Sequence, residues 1–207
     1  SESNEEARKF IPADIKIYND YKSLIASADI DVIFISLPNQ FASEAACLSL
    51  QRGLHVFCEK PPARTHAELL EVEKQSLKFP ELKLMYGFNH RFHLSVEEAK
   101  LLIDSNSLGR LINMKGVYGK SQMISFNQTD WRTNREASGG GILLDQGIHM
   151  LDLMRYLSGE NFTEVFSIID NAFWNFDVED NAYVLMKSPK GLVSQLHSSA
   201  TQWRHVF

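Results

Sequence analysis

Several common classes are removed by what this sequence lacks. No apolar run approaches the ~20 residues that cross a bilayer as a helix, so no membrane partner is expected. There is no basic block. The 21 Lys and Arg stand against 26 Asp and Glu, for a formal net charge of −5, and nucleic acid is excluded as a natural partner of such a surface. The 207 residues hold only two cysteines, Cys47 and Cys58. They are too far apart for a CxxC metal or redox pair, and both sit in apolar patterns as small core residues. A reduced, cytoplasmic protein is the natural expectation. Repeats and low-complexity tracts are absent, and the opening SESNEEARKF is too charged for a secretory signal. What is present, 44% hydrophobic and 23% charged residues, is the composition of an ordinary globular protein.

Along the chain, Ser3-Asn4-Glu5-Glu6 has capping-box spacing and predicts a short helix to Phe10. Ile15 to Tyr18 reads as a short strand, and Asp20 caps a helix through Leu24 and Ile25. Asp31 to Leu37 is a continuous apolar run, the pattern of a strand covered on both faces. It breaks at Pro38-Asn39, and a helix follows to Arg52, stopped by Gly53. Leu54 to Cys58 is the next strand. Thr65-His66-Ala67-Glu68 is a second capping box, opening a helix to about Leu77, and Lys83 to Phe88 is a strand.

Strands alternating with helices of this length predict an α/β, Rossmann-like, doubly wound parallel sheet. After about residue 108 the pattern changes to strands at 111–118, 164–169, 182–187 and 192–200. The last two are joined as a hairpin around Ser188-Pro189-Lys190-Gly191. One helix, Ile142 to Leu157, interrupts them, preceded by Gly139-Gly140-Gly141 and closed by Ser158-Gly159. The expected division is 1–93, a partial dinucleotide-binding half, and 94–207, an α+β substrate-binding and oligomerisation half with a largely antiparallel open sheet.

Two stretches carry chemistry. In open parallel sheets, ligands gather at the carboxyl ends of the strands, where both Pro38-Asn39 and Glu59-Lys60-Pro61-Pro62 fall. Pro61 biases Lys60 away from helical geometry, so the chain runs extended past the sheet and holds the Lys60 ammonium over the crevice. The alternative is a polar turn punctuated by proline. The second stretch, GGGILLDQGIHMLDL at 139–153, puts Asp145 and His149 four apart on one helix, on the same face. A neutral imidazole accepts protons near neutral pH, and a carboxylate beside it can orient it. The plain alternative is a surface pair on an amphipathic helix. The triple glycine argues for backbone passing close to a ligand.

With SLPN (36–39), GLHVFCEKP (53–61), YGFNHRF (86–92), DWR (130–132) and the GGG helix in this order, the chain resembles the Gfo/Idh/MocA family of NAD(P)-dependent oxidoreductases, the relatives of glucose–fructose oxidoreductase and inositol dehydrogenase. The resemblance implies NAD or NADP as cofactor and a sugar, sugar nucleotide or cyclitol as substrate, with nucleotide-linked amino sugars favoured. It implies Lys60, Asp145 and His149 as the catalytic set, His149 removing the hydroxyl proton and Asp145 fixing the imidazole. Pro38, Asn39, Glu59, Lys60 and Pro61 are implied on the cofactor side, and Arg91, Trp131, Arg132 and His149 on the substrate side.

Two departures stand out. Ala42 replaces a histidine that family members often carry. The glycine-rich phosphate turn of the first βαβ unit and the family's final strands are not in the sequence, so the resemblance implies truncation at both ends. The competing functions are a non-catalytic dinucleotide-binding regulator and an NAD-dependent glycosidase. His90 and His93 have HxxH spacing without an acidic or cysteine partner, which favours a structural role over metal. His197 and His205 are placed where either could border the pocket, and Phe173, Trp174 and Phe176 read as core or subunit contacts. A homo-oligomer, dimer or tetramer, is expected through the uncovered face of the second sheet.

Overall fold

The computed structural model describes residues 8–122 and 130–206. The capping box at residues 3–6 lies outside them. The first half is built as α1 (Tyr21–Ser27), β1 (Val32–Ile35), α2 (Asn39–Gln51), β2 (His55–Cys58), α3 (His66–Lys78) and β3 (Leu84–Tyr86). β1, β2 and β3 form a parallel sheet in that order, with Val32 opposite His55 and Val56 opposite Leu84. Local chemistry explains the boundaries. The Asp20 carboxylate accepts the Ser23 amide at 2.8 Å and starts α1. Gly53, at φ +87°, takes the left-handed conformation that ends α2. Thr65 accepts the Glu68 amide at 3.2 Å, as a capping box requires. The return arm differs: the Glu68 carboxylate accepts the Arg64 amide at 3.0 Å.

Ile33 and Ile35, with Val56 and Cys58, point to one face of this sheet, where Ala42, Ala45, Ala46 and Leu50 of α2 and Val72 of α3 cover them. Two expectations are corrected here. Among the described residues the run Asp31 to Leu37 is covered on one face, with Phe34 75% exposed and Val32 open to the same side. On the other face Phe34 lies against Phe57, ring centroids 5.3 Å apart and planes tilted by 35°. Ile15 to Tyr18 forms no strand. A strand exists only as part of a ladder, no described segment pairs with it, and Ile15 and Ile17 stay exposed.

The second half adds α4 (Leu94–Asp104), β4 (Asn113–Gly119), α5 (Arg135–Ser138), α6 (Ile148–Ser158), β5 (Glu164–Asp170), β6 (Asn181–Lys187) and β7 (Val193–Ser199). The helix α4 was not anticipated. The sheet order is β4-β7-β6-β5, antiparallel between β5, β6 and β7, with β4 parallel to β7. Gly191, at φ +88°, turns the predicted hairpin. The helix α6 lies on one face, where Met154 packs with Val184, Met186 and Leu196. Small residues bring it close: a Cβ on Gly116 would sit 2.8 Å from Met154, and one on Gly147 would sit 2.7 Å from the Ser198 hydroxyl. The opposite face of β5 and β6, with Phe166, Ile168, Tyr183 and Leu185, is open. No helix of the described residues is long and apolar enough to cross a membrane.

Candidate active site

At the carboxyl end of β2 the chain leaves the sheet through Glu59 and Lys60, and the Lys60–Pro61 peptide is cis. The Lys60 ammonium reaches into the second half, donating to the backbone carbonyl of Asp145 and to its Oδ1 at 3.2 Å. Asp145 sits in one turn of π-helix, Leu143–Gly147, that opens the helix continued by α6. Such bulges are uncommon and recur at functional sites. The widened turn separates the roles of the two residues that regular helical spacing had paired. Asp145 takes Lys60 on Oδ1 and the Gln146 amide on Oδ2 at 2.7 Å, and no hydrogen bond joins it to His149. Asp145, expected beside the imidazole, is thus hydrogen-bonded to the lysine.

His149 is 5% exposed, and its Nδ1 has no hydrogen-bond partner among the described residues. Its ring stacks on His90, centroids 4.1 Å apart and planes 11° from parallel, while Phe88 meets it edge-on at 6.2 Å. Lys60 and His149 line one hollow of ≈ 330 Å³, together with Glu59, Phe57, Met85 and Phe88. That volume falls within the range of small-molecule sites, about 300–1,000 Å³. A larger hollow, ≈ 860 Å³, lies between α6 and the inner side of β5. Its walls are mainly aliphatic, and neither Lys60 nor His149 reaches it.

The electrostatics follow from burial and from an excess of cations. Burial, then the neighbouring His90 and Lys60, push the His149 imidazole down to about 4, so it is neutral at physiological pH. Burial alone would raise the Asp145 carboxyl, but Lys60, Gln146 and Lys120 outweigh it and hold it below its ordinary value. Burial lowers the Lys120 ammonium, at the end of β4, although Asp145 opposes the shift.

The other predicted residues separate into groups. Glu59 borders the hollow, its carboxylate lying over Gly87 so closely that a Cβ there would meet it at 3.1 Å. Arg132 reaches Asp145 at 3.9 Å from Nε, but also pairs with Asp130 at 3.0 Å and lies over the Trp131 ring at 4.4 Å. Trp131 and Arg132 are thus brought to the Asp145 side. Pro38 caps α2 and Pro61 is buried, and neither lines the hollow. Asn39 is buried with its amide donating to the Ser138 carbonyl at 2.8 Å, a bond between the two halves rather than an open ligand group.

Arg91 is likewise engaged. Its guanidinium closes in a fork on Asp152, with Nε to Oδ2 at 2.7 Å. His197 stacks on Tyr183 at 4.3 Å, on the open outer face, and the exposed His205 does not line the hollow either. The glycine triplet is explained by contacts within the chain. A Cβ on Gly139 would lie 2.6 Å from the Arg64 Cα, and one on Gly141 would collide with the Glu179 backbone. The Glu179 carboxylate in turn caps the helix opening, accepting the amides of Gly141 at 2.8 Å and Leu143 at 3.2 Å.

Sequence reasoning missed Asp152, Tyr118, Lys120 and Glu179 at or around the site, and undervalued His90. A signal existed for Asp152, an acid three residues past His149 on an apolar helix.

Residues 1–86 match the family model described as oxidoreductase family, NAD-binding Rossmann fold, and residues 96–206 match the GFO/IDH/MocA C-terminal domain. The chain is similar to levoglucosan dehydrogenase of Pseudarthrobacter phenanthrenivorans, 34% identical over 69% of this chain and 36% of that protein. It is also similar to D-glucoside 3-dehydrogenase of Escherichia coli, 32% identical over 76% of this chain and 43% of that one. A solved levoglucosan dehydrogenase in complex with NADH and levoglucosan superposes with a TM-score of 0.85, at 27% identity, covering 92% of this chain and 53% of that one. The chain thus spans about half or less of the length of these relatives.

Proposed function

The chain belongs to the GFO/IDH/MocA family of oxidoreductases, and from that membership and the hollow shared by Lys60 and His149 we propose a hydride transfer between NAD or NADP and a secondary hydroxyl of a sugar, sugar nucleotide or cyclitol. The observation that carries this reading is the meeting of a β2-end ammonium and a neutral buried imidazole in one cavity. The dehydrogenases of levoglucosan, glucosides and inositol among its relatives support a carbohydrate substrate.

The hollow's lining suits a nicotinamide: Phe57, Met85 and Phe88 would hold it, with Glu59 and Lys60 beside it. When bound, it supplies the hydride acceptor or donor. The protein's own part is acid–base and electrostatic. His149, neutral and poor in hydration, takes the hydroxyl proton as the alcohol is oxidised. Lys60 stabilises the negative charge growing on the same oxygen, and Asp145 keeps that ammonium aimed. Arg132, beside Asp145, borders the substrate side with Trp131. We further assign residues 1–93 to cofactor binding and 94–207 to substrate binding and assembly. The protein is read as a cytoplasmic homo-oligomer that covers the open face carrying Phe166 and Ile168.

The test is spectroscopic titration of the intact protein with NAD(H) and NADP(H), then turnover on levoglucosan, methyl glucoside, myo-inositol and a sugar-nucleotide panel. Lys60→Ala and His149→Ala should each lower kcat/KM by about 10²–10³-fold, with the combined loss less than the product. Full turnover in the double variant would end the assignment.

A further inference from the structure

A buried histidine that does chemistry is usually aimed by a hydrogen bond through its other ring nitrogen. His149 has no such bond among the described residues: its Nδ1 is shielded from solvent without a partner, and Asp145 is held by Lys60 and Gln146. Ring contacts hold the imidazole plane instead. His90 stacks on it at 4.1 Å and 11°, Tyr118 lies nearly parallel at 6.1 Å, and Phe88 closes one edge. His90 is itself anchored. It belongs to a single 3-10 turn, Asn89–Phe92, whose next residue, Arg91, forks onto Asp152. Asp152 lies three residues past His149 on α6, so the ion pair clamps turn to helix at the level of the two rings.

We propose that His90 is a positioning residue for His149, fixing the orientation of that imidazole by ring stacking backed by the Arg91–Asp152 clamp. The inference rests on the reading of His149 as the proton acceptor. It has an electrostatic consequence. Two imidazoles at stacking distance cannot both be charged without strong mutual repulsion. Lys60 beyond β2 and Lys120 after β4 add positive charge around His149, while Asp145 of the π-turn opposes them. Glu59 lines the same hollow and Tyr118 faces the ring from β4. Burial, then His93 and Lys60, lower the His90 imidazole while Asp152 opposes them, which favours the uncharged ring as the stacking surface.

The experiment follows His149 by NMR of labelled imidazole carbons in the intact protein across pH, alongside turnover with NAD+ and levoglucosan or myo-inositol. In His90→Ala the His149 midpoint should rise from about 4 by about one pH unit. The acid limb of kcat/KM should follow it, and kcat should fall about tenfold. His90→Phe, which keeps a flat ring and removes the charge, should recover most of kcat while the midpoint stays raised. An unchanged midpoint in both variants overturns the proposal. If His90→Ala does not fold, His90→Phe decides alone, because it preserves the packing. Activity surviving in His149→Ala would instead overturn the base reading, and the NMR midpoint, which needs no turnover, keeps the two failures apart.

Discussion

Asp152 shows how a single buried carboxylate can serve a site it never touches. Its side chain is 8% exposed, and Arg91 is the partner that neutralises it. Removing the charge on one side leaves the guanidinium without its fork acceptor and takes the clamp from the 89–92 turn. The Arg91 side is 40% exposed, so solvent softens the loss. Asp152→Asn should lower unfolding free energy by about 1–3 kcal/mol, read as a shift of the urea midpoint at constant m. Arg91→Lys should not behave as a conservative change, because a point charge cannot grip both carboxylate oxygens. Asn39 makes the same point from the other half. Its amide is spent on the Ser138 carbonyl, which its motif position could not disclose.

At the scale of elements, the segment from Gly139 to Ser158 is decided by what it must pass. Gly139 takes φ +86° beside Arg64, and Gly141 runs so close to the Glu179 backbone that no side chain fits. Gly141→Ala should therefore push the helix opening off its Glu179 cap. The expected cost is about 2–4 kcal/mol of stability, with a fall in kcat because Asp145 and His149 move together. Circular dichroism melts and turnover of the same sample check both, and a variant as stable as the parent would contradict the close approach. Gly159, at φ +66° in the left-handed position that ends α6, faces open space. The contrast shows why glycines cannot be interpreted alike from sequence: one triplet reports chain crossing, the other position only a helix end.

For the whole molecule, pH is the most direct probe of these buried groups. The His149 imidazole titrates near 4 in the fold against an ordinary value of 6.5. A group lowered in this way favours the folded state fully above 6.5 and loses that contribution as pH falls toward 4. The loss is on the order of 3 kcal/mol. Asp145, held below its ordinary value, acts in the same direction at still lower pH. Urea midpoints at pH 7, 5.5 and 4.5 should thus decline steadily, and His149→Phe should flatten the decline above pH 4.5. A midpoint independent of pH over that range would contradict the neutral buried imidazole.

Periodicity and turn chemistry are local, so residues alone determined most helices and strands: the Asp20 and Thr65 caps, the stops at Gly53 and Gly159, the hairpin at Ser188–Gly191, and the placing of Lys60 at a strand end. Family motifs likewise singled out Lys60, Asp145 and His149. Partner choice is not local. Only the tertiary structure decided that Asp145 holds the lysine and not the histidine, that Asn39 and Arg91 are already engaged, that Phe34 is exposed, and that Ile15 to Tyr18 pairs with no described segment. Each of those outcomes depends on which distant group arrives within hydrogen-bonding or packing distance, and sequence spacing carries no information about that.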